Sequence, residues 1–181
     1  YEILVEAILP FNNLRILKTP NSEFLGGDRI SELLYLEAID ELLLKNELSL
    51  KKFKNLNSIS NLSLQECKDT KYFVNVAKKI EIKKIIIEGF KDDYKNISYL
   101  GNLNENINHL IIKEHFNQCI DISFLSKLEN LEKIELFIWA FADTKTTESL
   151  NLKSLSSLNK LKELHISGGI HITLALILMT I

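Results

Sequence analysis

Glycine and proline are scarce, 6 and 2 in 181 residues, so nothing in the chain reads as a linker and 1–181 is expected to be a single domain. The Gly26-Gly27-Asp28 stretch is expected to be a plain turn, because no strand, glycine-rich loop and helix surround it as a phosphate site would need. No charge of one sign dominates. The 22 basic and 24 acidic residues leave a net charge of −2, which argues against nucleic-acid binding through a basic footprint. The one local run, Lys51-Lys52-Phe53-Lys54, reads as a solvated outer face. No segment reaches the roughly 18 continuous apolar residues of a membrane span. Tyr1 stands where Met is usual, as expected of a processed or excised fragment.

Catalytic signatures are missing as well. No Gly-x-Ser-x-Gly, His-Glu-x-x-His or Cys-x-x-Cys pattern occurs, and no isolated pair of carboxylates suggests general acid/base work. His109 and His115 are six residues apart, as are His165 and His171, a spacing that puts two imidazoles on different sides of a helix or about 20 Å apart along a strand, not together as a zinc pair needs. No metal and no cofactor are therefore expected, and the chain reads as non-enzymatic.

What the chain has in abundance is leucine and isoleucine at a fixed rhythm. An apolar residue recurs every third position and closes on a Leu-x-Leu strand signature. The clearest copies are Leu50, Phe53, Leu56, Ile59, Leu62, Leu64 and Leu152, Leu155, Leu158, Leu161, Leu164, Ile166. The others run Val5, Ile8, Phe11, Leu14, Ile16; Ile30, Leu33, Leu36, Ile39, Leu42, Leu44; Phe73, Val76, Lys79, Ile82, Ile85, Ile87; Ile97, Leu100, Leu103, Ile107, Leu110, Ile112; and Ile122, Leu125, Leu128, Leu131, Ile134, Leu136. Lys79 is the only polar residue among them, whereas a composition 46% hydrophobic would fill about half of the positions by chance. The signatures recur at intervals of 20 to 30 residues, the spacing of a stacked repeat.

On these residues, over 5–169, the chain resembles the leucine-rich-repeat family. Within that family it is similar to the short Leu-x-x-Leu-x-x-Leu-x-x-Leu-x-Leu subclass of internalins and a phosphatase regulatory subunit. The resemblance implies an α/β fold: a right-handed solenoid with a parallel sheet of about seven short strands on its concave face and 3₁₀ or short α-helical returns on its convex face. The family's Asn or Cys, three residues after the last strand leucine, is matched only by Cys67; the other sites hold Thr19, Glu47, Phe90, His115, Trp139 and Gly169, so the turns must satisfy their backbone groups by other routes.

The repeat carries its own physical reading. A strand with one apolar face cannot bury it alone, so the copies must stack, about 4.8 Å apart, with the every-third-residue runs returning on the other side. Period three matches a 3₁₀ turn; the longer intervals leave room for α-helical turns around Asp121 to Asn130 and Ser149 to Lys160. About two strand spacings then separate Cys67 from Cys119, too far for a disulfide. The apolar tail, 170–181, is open to three readings: a cap on the last repeat in its own molecule or a neighbour's, a truncated membrane anchor, or a self-association strand.

Alternation along each strand also picks out the residues that point away from the core. The row between the inward leucines is Arg15, Leu43, Ser63, Ile86, Ile111, Glu135, His165; the row after them is Leu17, Lys45, Gln65, Glu88, Lys113, Phe137, Ser167; and the row before is Asn13, Glu41, Asn61, Lys84, His109, Lys133, Glu163. Ile86, Ile111 and Phe137 form an apolar island, with Trp139 beside it and a lesser one at Leu43 and Leu17. Apolar anchors inside a charged surround are how protein interfaces concentrate energy. The expected function is binding of a protein partner through the concave face, with Leu43, Ile86, Ile111, Phe137 and Trp139 as anchors and Lys113, Glu135 and His165 in the rim. The competing classes are a structural or surface-attachment spacer within a larger protein and an accessory scaffold domain of an enzyme.

Overall fold

The structure, a computed structural model, describes residues 8–11, 13–18, 25–26, 30–89, 94–103, 105–116, 121–140 and 152–167. Its strands are β1 (Ile16–Leu17), β2 (Leu25–Gly26), β3 (Ala38–Asn46), β4 (Ser58–Glu66), β5 (Glu81–Glu88), β6 (His109–Phe116), β7 (Lys133–Ala140) and β8 (Glu163–Ser167). All pair in parallel within one sheet, in the order β1-β3-β4-β5-β6-β7-β8, with β2 also paired to β3. Parallel neighbours need a crossover. The crossovers are the 3₁₀ turns η1 (Glu47–Lys52), η2 (Tyr94–Asn102), η3 (Ser123–Lys127) and η4 (Leu152–Ser157), and the helix α1 (Thr70–Ala77). Successive crossovers touch one another in chain order, so a row of turns lies against one face of the sheet, an arrangement compatible with a solenoid.

Between the two layers sits one continuous core. Leu42, Leu62, Ile85, Leu110 and Ile134 line up across five strands and are buried, as are Leu44, Leu64, Ile87, Ile112 and Leu136. Leu50, Phe73, Leu100, Leu125 and Leu155 meet them from the turns. Each strand entry is fixed by a recurring backbone bond. The Arg15 carbonyl accepts from Glu37 and Ala38, Glu37 from Asn57 and Ser58, Asn108 from Glu132 and Lys133, and Glu132 from Lys162 and Glu163. Gly101 lets η2 approach η3, since a Cβ there would lie 2.9 Å from the Phe124 carbonyl oxygen.

Three expectations fail, each for a local reason. The period-three reading through Phe73, Val76 and Lys79 is wrong because that segment is α-helical: Phe73, Val74, Ala77 and Ile80 are buried at a 3.6-residue period, and Lys79 is exposed. Asp69 caps α1 through its carboxylate, which accepts from the Tyr72 N–H at 2.7 Å. Conversely, the two segments expected to be α-helical hold the 3₁₀ turns η3 and η4. In and beside them Ile122, Leu125, Leu128 and Leu152, Leu155, Leu158 are buried at the three-residue spacing that eclipses side chains in a 3₁₀ turn, with Phe124 buried next to Leu125.

The third failure is the first copy. Leu14 and Ile16 were expected level with Leu42 and Leu44, but Leu17 pairs with Ile39 and Leu25 with Leu42. Leu17 is a core residue at 9% exposure, not an outer-face one, while Ile16 is 57% exposed. Gly26, expected in a turn, lies in β2 level with Leu43. At the other end, Leu164 in β8 is 38% exposed. Cys67 is a buried thiol whose Sγ lies 3.8 Å from Thr70 Oγ1; Cys119 and the tail 170–181 lie outside the described residues.

Candidate binding face

From β3 to β8 the residues between the core leucines face the opposite side of the sheet, and the pairing register strings them into rows. Leu43, Ser63, Ile86, Ile111, Glu135 and His165 are consecutive partners, as are Glu41, Asn61, Lys84, His109, Lys133 and Glu163. Glu88, Lys113, Phe137 and Ser167 form the third. The structure thus brings Leu43, Ile86, Ile111, Phe137, Lys113, Glu135 and His165 onto one surface.

A charged ladder crosses that surface. His109 Nε2 bonds Glu135 Oε1 at 2.9 Å, Lys133 Nζ reaches Glu135 at 3.3 Å and Glu163 at 3.0 Å, and His165 Nε2 stands 3.5 Å from Glu163. Towards β5, Lys113 Nζ donates to Glu88 Oε1 at 2.6 Å. Further along, Asn61 donates to Glu41, which is buried. Burial holds the His109 imidazole below its ordinary pKa, against the pull of Glu135 and aided by Lys84 and Lys133. Burial would raise Glu135, yet the bonds from His109 and Lys133 outweigh it and keep the carboxyl below its usual range. Both directions fit a neutral imidazole donating its Nε2–H to a carboxylate, which fixes the tautomer. Glu163 is held low by Lys133, and Lys133 is held high, first by Glu163 and then by Glu135.

The apolar positions are less available than expected. Ile86 and Ile111 belong to this face and not to the main core, yet they are only 8% and 6% exposed. Lys84, Glu88, His109 and Lys113 flank them two residues away on the same face, where long side chains cover neighbours with their stems. Covering such a remnant is worth on the order of 0.3 kcal/mol at about 25 cal/mol per Å², so these two residues act as a floor. Phe137 and Leu43 are half-buried and keep area to lose; Lys113 and Glu135 are half-buried, and His165 is exposed. Trp139 lies in β7 opposite His115, and its side chain lies outside the described residues.

His109, Lys133, Glu163 and Glu88 were placed in the rows but not singled out as site residues. Their signal was diagonal: His109 faces Lys133 directly, and Glu135 two positions on lies within reach of a long side chain. Among the described residues no group of three or more His, Cys, Asp or Glu could hold a metal, and no helix is long and apolar enough to cross a membrane. Neither a family model nor a curated protein matches the chain.

Proposed function

We propose that this protein is a non-enzymatic, right-handed leucine-rich-repeat solenoid that binds a protein partner on the concave, outer face of its sheet. The observation that carries the reading is the uninterrupted register of two outer rows from β3 to β8 and of a third from β5 to β8, which presents mixed charge around Ile86, Ile111 and Phe137. A pre-paired ladder suits recognition because its side chains are already ordered, and ordering them on binding costs about 0.5–1.5 kcal/mol each. Phe137, half-buried beside Lys113 and two positions from Glu135, is the anchor with apolar area left to bury. Ile86 and Ile111 supply a rigid floor, and the carboxylates and lysines select the partner by charge.

The test is affinity capture with the parent chain and with a Lys113→Glu/Glu135→Lys variant as baits. A partner retained by the parent and lost by the charge-exchanged chain supports the outer face as the interface. Equal capture by both places the interface elsewhere.

A further inference from the structure

On the opposite side of the molecule, between η1 and α1, runs an open groove of about 400 Å³. Its apolar lining comes from Phe53, Tyr72 and Val76, which are half-buried; Phe53 and Val76 pack on the core while keeping part of their surface in solvent. Lys51 and Lys54 stand on one wall and Lys79 on the other, all exposed, and no acidic side chain lines the groove. None of the three ammonium groups has a carboxylate partner among the described residues, whereas Lys113, Lys133 and Lys162 all do. Lys51, Lys52 and Lys54 are exposed, as expected of a solvated face, and Lys51, Phe53 and Lys54 also line one side of this groove.

Unpaired positive charge on both walls of an apolar trough attracts a ligand that is apolar at its centre and anionic at its flanks. We propose that the groove between η1 and α1 binds an acidic peptide segment, seating an apolar side chain against Phe53, Tyr72 and Val76 while its carboxylates meet Lys51, Lys54 and Lys79. An extended segment alternating acidic and apolar residues sends its side chains to opposite sides, so one face enters the trough and the other lies at lysine level. The volume is at the low end for small-molecule sites, roughly 300–1,000 Å³, and is matched by one or two peptide side chains. This site shares no residue with the outer face of the sheet, so either can fail alone.

The probe is a short peptide alternating Glu with Leu and Phe, compared with a version carrying Gln for Glu and one carrying Ala for Leu and Phe. Binding is followed by NMR shifts and by titration at two salt concentrations. The acidic peptide is expected to shift Phe53, Tyr72 and Val76, to weaken with salt because exposed pairs are screened, and to bind about tenfold less well to Lys51→Glu/Lys54→Glu. Both substitutions lie on exposed side chains, so the melting temperature should not move; Lys79→Glu gives a second variant on the other wall. Equal binding of the Gln peptide, shifts confined to the sheet's outer face, or binding of phosphatidylglycerol vesicles or dodecanoate without the peptide would each overturn the proposal.

Discussion

Glu47, the first residue of η1, accepts the backbone N–H of Lys68 at 3.1 Å through Oε2, and its side chain is almost wholly buried. This is the position at which the repeat resemblance would put an asparagine. A longer carboxylate reaches the same kind of donor from there. Glu47→Ala should strand that N–H and cost about 1–2 kcal/mol, while Glu47→Gln, whose amide oxygen still accepts, should cost less. Urea denaturation of the two variants, with amide exchange at Lys68, checks the order.

Burial of His109 and the bonds that His109 and Lys133 make to Glu135 together make stability fall on acidification. A histidine whose folded pKa is depressed binds its proton first in the unfolded chain, so stability drops as pH falls through the unfolded value near 6.5 and levels off below the folded one. Glu135 and Glu163, also depressed, contribute stability present above the unfolded carboxylate value and lost as pH falls through their folded values. Glu135→Gln should lower the His109 pKa further, since the carboxylate was pulling it up, and should flatten the stability profile on the acid side of the carboxylate range. An NMR titration of the His109 ring reads the first effect and denaturation at stepped pH the second.

Gly89 follows β5 with φ +76°, and a Cβ there would lie 3.0 Å from the Gln65 carbonyl oxygen. Its carbonyl accepts from Cys67 and its N–H donates to the Lys113 carbonyl, so the conformation is tied on both sides. Gly89→Ala should destabilise by about 1–2 kcal/mol, the left-handed penalty for an L-residue. Thermal melting measures it.

The strands from β3 to β8 and their three outer rows were legible because an alternation of period two fixes both register and facing; a slip of one residue would put Leu62 or Ile85 in solvent. Other elements were not. Around Phe73 an α-helix and a 3₁₀ turn share apolar spacings of three, and only the buried Val74 and Ala77 separate them. In the first copy the stretch between Leu17 and Leu25 breaks the repeat's spacing, and apolar residues on both sides allowed a false match. Sequence placed Ile86 and Ile111 on the correct face but could not show their burial, which depends on how neighbouring side chains lie. The groove itself was not legible in the basic run because α1, which supplies Tyr72, Val76 and the turn carrying Lys79, belongs to the next crossover.

Core and face should part company under mutation. Leu136→Ala removes a buried side chain and should cost roughly 2–5 kcal/mol. Phe137→Ser, one residue on and half-buried on the outer face, should cost about 1 kcal/mol, and Lys113→Glu, which loses a half-exposed ion pair and sets a carboxylate opposite Glu88, about as much. Denaturant midpoints of the three variants give the comparison.

The most direct measurement is the affinity of the captured partner for the parent chain, Phe137→Ser and Lys113→Glu, by titration calorimetry on protein whose folding has been verified by melting. Recognition through the outer face requires Phe137→Ser to weaken binding about 30-fold, the equivalent of roughly 2 kcal/mol for a buried anchor, and Lys113→Glu to weaken it with a changed salt dependence. Parent-like affinity in both folded variants would contradict the claim that this sheet is the binding surface.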